Sequence, residues 1–127
     1  MRPTILTVDD AKAVRDLAEK ALGGFDCEAT SATNGYNAFF AIEKARPDLI
    51  LLDISMPIMG GVETLQRLKA APELANIPVI MLTSRADHGV VPLLAGMGAV
   101  GSLEKPFNAA TLLDKIRETV ALKPKQP

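Results

Sequence analysis

The run Leu49-Ile50-Leu51-Leu52-Asp53 constrains the fold more than any other segment. Four consecutive apolar residues, with no polar alternation, read as a strand buried on both faces, and such strands belong to parallel sheets covered by helices. The carboxylate at the C-terminal end of this strand must then meet water, a counter-charge or a cation. Two further strand-like runs also end in polar groups: Thr4-Ile5-Leu6-Thr7-Val8 at Asp9-Asp10, and Val79-Ile80-Met81-Leu82 at Thr83. A shorter run, Gly101-Ser102-Leu103, leads into Glu104-Lys105-Pro106. An open parallel sheet gathers its strand tips along one edge, where ligands bind. The chain therefore directs three carboxylates, a hydroxyl and an ammonium towards one place.

Helical patterns fill the intervals between these runs. Residues 11–22 place Val14, Leu17, Ala18, Ala21 and Leu22 on one face, and Gly23-Gly24 ends the pattern. Asp10 is a candidate cap for this helix. Residues 27–31 form a weak strand, and residues 38–45 a helix that Gly35 precedes. Residues 62–70 form a helix with Val62, Leu65 and Leu68 inward. A fourth helix is expected over 88–97, and a fifth over 109–120 with Asn108 as its N-cap. Pro92 lies inside the fourth pattern, so either the helix is shortened to begin near Pro92 or an unusually apolar surface is left mobile. Five strands alternating with five helices predict an α/β fold, a (βα)5 doubly wound five-stranded parallel sheet. One domain is expected over residues 1–122. Residues 123–127, Lys-Pro-Lys-Gln-Pro, read as a polar tail or the start of a linker.

Bulk properties narrow the function. The chain has 127 residues, 48% of them hydrophobic, which is the size and content of one globular domain. A net charge of -1 gives no field for nucleic acid or acidic lipid, and 4% aromatics give no base-stacking surface. No apolar stretch reaches the length of a membrane span and no signal peptide is evident, so a cytoplasmic location is expected. Cys27 is the only cysteine, which excludes an internal disulfide and a thiolate metal cage. It reads as a small packed hydrophobe, and His88, the only histidine, as a surface residue. The segment Gly96-Met97-Gly98-Ala99-Val100-Gly101 matches the dinucleotide pattern GxGxxG but leaves a helix and enters a strand, the reverse of what that motif requires.

The clustered polar groups point to phosphoryl chemistry. Two carboxylates about 4 Å apart repel by roughly 4 kcal/mol at an effective dielectric near 20, so Asp9, Asp10 and Asp53 must protonate, pair or bind a cation. Oxygen ligands without His or Cys favour a hard ion such as Mg2+, which leaves coordination positions for phosphate oxygens. Asp53 can then act as a nucleophile towards phosphorus. Lys105 can neutralise a phosphoryl oxygen and Thr83 can donate a hydrogen bond to another.

These residues, in this order, resemble the receiver domain of two-component response regulators, the CheY-like family. The resemblance rests on Asp9-Asp10, on Asp53 within Leu51-Leu52-Asp53-Ile54-Ser55-Met56-Pro57, on Thr83-Ser84, on Gly98-Ala99 and on Lys105-Pro106-Phe107. It implies strand order 2-1-3-4-5, for which CheY itself is a known example. It implies that Asp53 is the phosphoacceptor, served by a sensor histidine kinase or a histidine phosphotransfer domain. It further implies an Mg2+ site in which Asp10 is a direct ligand, Asp9 acts through water, and Asp53 and the backbone carbonyl of Ser55 complete the protein ligands. Thr83 and Lys105 would read the phosphoryl group, the Lys105-Pro106 peptide would be cis, and the output would leave through the face of helix 4, strand 5 and helix 5, to a protein target or a second copy. Such a domain catalyses only its own phosphorylation and dephosphorylation, without acting on nucleic acid or membrane.

Three departures qualify the likeness. Ser102 stands where the family carries Tyr or Phe, so the inward-swinging ring of the usual switch is missing. Gly60 stands where Asp is common, and Ser55 and Arg85 hold the positions that tune phosphoryl lifetime. Three rival readings follow: a pseudo-receiver that only binds protein, the N-terminal receiver of a larger regulator, and a haloacid-dehalogenase-type phosphatase. The last would want a second Asp where Ser55 stands.

Overall fold

The computed structural model describes residues 2–126. Five parallel strands, β1 (Thr4–Val8), β2 (Glu28–Ala32), β3 (Leu49–Asp53), β4 (Val79–Thr83) and β5 (Gly101–Glu104), form one sheet in the order β2-β1-β3-β4-β5. Helices α1 (Lys12–Leu22), α2 (Gly35–Lys44), α3 (Gly61–Ala70), α4 (Val91–Leu94) and α5 (Ala109–Arg117) make the connections. This is the expected doubly wound α/β architecture.

The unbroken apolar runs are explained by two separate cores. In β3, Ile50 and Leu52 face a core shared with Ala38 and Ile42 of α2, Leu65 and Leu68 of α3, and Leu94 of α4. Leu49 and Leu51 face the opposite core, with Ala18 and Leu22 of α1 and Leu112 and Ile116 of α5. All four β3 aliphatics are fully buried. Full burial of each such side chain stabilises the fold by roughly 1.5–3 kcal/mol, so the central strand is the least replaceable element.

Local structure refines several expectations. Helix α2 begins at Gly35, three residues earlier than expected, because Asn34 caps it by accepting a hydrogen bond from Asn37 N–H at 2.8 Å. Gly35 allows this start to lie against α3: a Cβ there would meet Thr64 Oγ1 at 1.9 Å. Asn108 caps α5 in the same way, accepting from Thr111 N–H at 2.8 Å, but α5 ends at Arg117 and not Val120. Asp10 does not cap α1. The N-cap position is Ala11, and Asp9 Oδ1 accepts the Ala11 N–H at 2.9 Å.

The fourth helix is the largest correction. The expected span 88–97 contains one α-helical turn, Val91–Leu94, preceded by a 3-10 turn at Arg85–Asp87. Pro92 falls within the first turn, where its missing N–H is tolerated. The shortened helix is thus the arrangement adopted. Glycine at 96 and 98, the latter with φ +106°, carries the chain into β5. The tail is also more engaged than expected. Asp26 N–H donates to the Lys123 carbonyl at 2.7 Å and Lys125 N–H to the Gly24 carbonyl at 3.0 Å, an antiparallel bridge beside Phe25.

Candidate functional site

Strand register builds the site. Val8 pairs with Leu52 and Leu82 with Asp53, so Asp9 and Asp53 leave the sheet side by side with Thr83 next along the edge. Thr83 pairs in turn with Glu104, which brings Lys105 to the same edge. The Lys105 N–H donates to the Thr83 carbonyl at 2.7 Å and fixes the β5–α5 connection against β4. The Lys105–Pro106 peptide is cis, as expected.

One carboxylate oxygen from each of Asp9, Asp10 and Asp53 lies within 4.8 Å of the other two. Asp9 is fully buried and Asp53 nearly so, while Asp10 is exposed at the rim. Lys105 Nζ donates to Asp53 Oδ1 at 2.9 Å and stands 2.6 Å from Asp9 Oδ2. The second approach is off-line for a hydrogen bond, so the buried Asp9 Oδ2 has a charge contact but no hydrogen-bond partner among the described residues. Arg15 donates to the Asp9 carbonyl at 2.8 Å and steadies the same turn. Spacing offered no signal for that contact.

The electrostatics follow from crowding. Burial pushes the Asp53 carboxyl up to about 6; the Lys105 hydrogen bond opposes the rise, and the neighbouring Asp9 and Asp10 charges add to it. Burial would lower the Lys105 ammonium, but contacts with Asp9 and Asp53 outweigh it and hold its pKa above the ordinary value. One lysine thus serves two carboxylates, with a third acid at the rim. An orphaned buried oxygen among three convergent carboxylates fits a hard divalent cation, which takes oxygen donors and tolerates an incomplete protein shell.

Thr83 is buried at the end of β4, next to the strand tip that carries Asp53. Ser55 is exposed, two residues beyond Asp53 in the loop to α3. Gly61 holds that loop close: a Cβ there would sit 2.0 Å from the Asp53 carbonyl oxygen. Asp87, which the sequence did not single out, is buried and accepts from Ser84 N–H at 2.7 Å and Ser84 Oγ at 3.0 Å, which locks the turn following Thr83. A carboxylate three residues after a serine is a capping-box signal that could have revealed it. His88 is exposed and paired with Glu104.

The family profile described as the response regulator receiver domain matches residues 5–117. Sporulation initiation phosphotransferase F of Bacillus subtilis (strain 168) is 33% identical over 123 residues, covering 97% of this chain and 98% of that protein. The DNA-binding response regulator MtrA of Mycobacterium tuberculosis (strain H37Rv) is 32% identical over 117 residues, and the chain spans about half its length, 50%. The solved structure of the chemotaxis response regulator CheY4 of Vibrio cholerae superimposes with a TM-score of 0.86 at 30% identity, covering 94% of this chain and all of that one, 100%. Strand order, strand-tip acids and these likenesses agree: the chain belongs to the response regulator receiver domain family of two-component systems.

Proposed function

We propose that Asp53 accepts a phosphoryl group from a phosphohistidine on a sensor histidine kinase or a histidine phosphotransfer domain. The observation that carries this reading is the Asp53 carboxylate at the tip of the central strand, within 2.9 Å of Lys105 and beside Asp9 and Asp10. With its pKa near 6, Asp53 is ionised by roughly ten to one at neutral pH and can attack as the carboxylate. Its oxygen bonds to phosphorus as the phosphorus–nitrogen bond to histidine breaks, and the leaving imidazole retains the nitrogen lone pair. Asp9, Asp10, Asp53 and the Ser55 backbone carbonyl are the residues that would hold Mg2+. When bound, the ion neutralises charge developing on the phosphoryl oxygens. Lys105 turns from Asp53 Oδ1 to a phosphoryl oxygen, and Thr83 supplies a hydroxyl donor. The reading takes residues 1–122 as the receiver unit, working in the cytoplasm and signalling through the α4–β5–α5 face to a protein target or a second copy.

Acetyl phosphate tests this without knowledge of the kinase. With Mg2+ the intact chain should gain the mass of one phosphoryl group. Asp53→Asn, or omission of Mg2+, should abolish the gain. An unchanged mass for the native chain with Mg2+ would overturn the reading and favour a receiver fold used purely as a binding module.

A further inference from the structure

Asp10 is the one acid of the cluster that the fold does not enclose. Asp9 is fully buried and Asp53 nearly so, and both are met by Lys105. Asp10 is exposed, and its carboxylate makes no hydrogen bond or ion pair among the described residues. One of its oxygens nevertheless lies within 4.8 Å of an oxygen of each of the other two acids. Like charges this close repel, and an exposed side chain can swing into water. The backbone that carries Asp10 must therefore be held in place by other groups.

Two hydrogen bonds do this. Arg15, half-buried in the first turn of α1, donates to the Asp9 carbonyl at 2.8 Å, and that carbonyl belongs to the peptide unit before the Asp10 Cα. The Ala11 N–H, in the peptide unit after it, donates to Asp9 Oδ1 at 2.9 Å. Both planar units flanking Asp10 are thus anchored, which fixes its φ and ψ and the direction in which its side chain leaves. Asp9 is itself tied to the sheet, its N–H donating to the Ala32 carbonyl at 3.1 Å. The start of α1 has no side-chain cap, so the guanidinium is the side-chain donor that joins the helix to this turn. A charged donor makes a stronger bond to a carbonyl than a neutral one. By its charge alone, however, Arg15 opposes a second cation at the acid cluster. What it gives the site is geometry.

We propose that Arg15 is a positioning residue for the divalent cation: by holding the Asp9–Asp10 peptide it keeps the exposed Asp10 carboxylate turned towards Asp9 and Asp53, and so sets the affinity of the site. The proposal rests on the reading of these three acids as a cation site. It assigns to Arg15 no contact with the ion and none with the phosphoryl group.

The test is the affinity of the full chain for Mn2+, a dication that takes the same oxygen ligands as Mg2+, read from the loss of the free-ion EPR signal. Two variants are compared with the native chain. Arg15→Met keeps the apolar stem and loses the donor, whereas Arg15→Lys keeps one cationic donor. Both replacements are strong helix formers, so α1 is preserved. Arg15→Met should weaken Mn2+ binding by about tenfold or more, the usual cost of removing a group that orients a metal ligand. Arg15→Lys should recover part of that loss. If Arg15 acted through its charge alone, Arg15→Met would bind Mn2+ more tightly than the native chain; if it served only to stabilise the helix, the folded variant would bind equally well. Either result would overturn the proposal, as would an Arg15→Lys variant no better than Arg15→Met. A native chain that binds no Mn2+ would overturn the cation reading together with the proposal, whereas an unchanged affinity in Arg15→Met overturns the proposal alone.

Discussion

Asp53 shows how one residue records the conflict built into its surroundings. Buried beside two other acids, it ionises near pH 6 when folded, against an ordinary value of 3.8. The folded chain therefore binds more protons than the unfolded chain between those values, and stability falls as pH rises from about 4 to about 6. Replacing the acid by its neutral isostere removes this penalty. In metal-free buffer at pH 7, Asp53→Asn should be more stable than the native chain by about 3 kcal/mol, from the rise from 3.8 to about 6 at about 1.4 kcal/mol per pKa unit. The difference should shrink to nothing below about pH 3, where Asp53 is protonated in both states. Urea denaturation at a series of pH values checks this, and a difference that does not vary with pH would contradict it. The acid proposed to accept the phosphoryl group thus costs stability where it is held.

At the scale of the element, α4 is decided by Pro92. A proline in a helix interior costs about 3 kcal/mol, whereas in the first turn no hydrogen bond is lost. Because α4 begins at Val91, Pro92→Ala should change stability by less than about 1 kcal/mol, through unfolded-state entropy alone. A gain near 3 kcal/mol in urea unfolding would mean that the helix runs through residue 92 after all. The contrast with α3 is instructive. There, Gly61 opens the helix because its lack of a side chain lets the first turn lie on the Asp53 carbonyl, so the helix start and the site share one contact. Ile58, in the same loop, adopts φ +69° while 85% exposed, a conformation unfavourable to a β-branched residue. Nothing in its packing explains that choice.

Over the whole molecule, the two cores on opposite faces of the sheet make every strand tip depend on helices from both sides. The C-terminal segment adds a further tie. Leu122 packs against the core of α1 and α5, and residues 123–125 pair with the turn after α1. A chain ending at Ala121 should lose about 1–2 kcal/mol, from one partly buried leucine and two hydrogen bonds. Thermal unfolding of the shortened chain measures this; an unchanged melting temperature would show that the bridge contributes nothing.

Pattern and chemistry along the chain were enough to dictate the (βα)5 sheet, because continuous apolar runs of strand length leave no solvent-facing side and demand helices on both faces. They were also enough to bring Asp9, Asp53, Thr83 and Lys105 to one edge, since parallel strands all end the same way. Other features were settled only by tertiary contacts. Which of the adjacent acids, Asp9 or Asp10, is buried and which binds the Ala11 amide depends on how the loop turns over the sheet. Where α4 starts depends on the balance between one proline and a weak apolar face. The hold of Arg15 on the Asp9 carbonyl depends on how α1 turns back over the strand tip, which no single run of residues encodes.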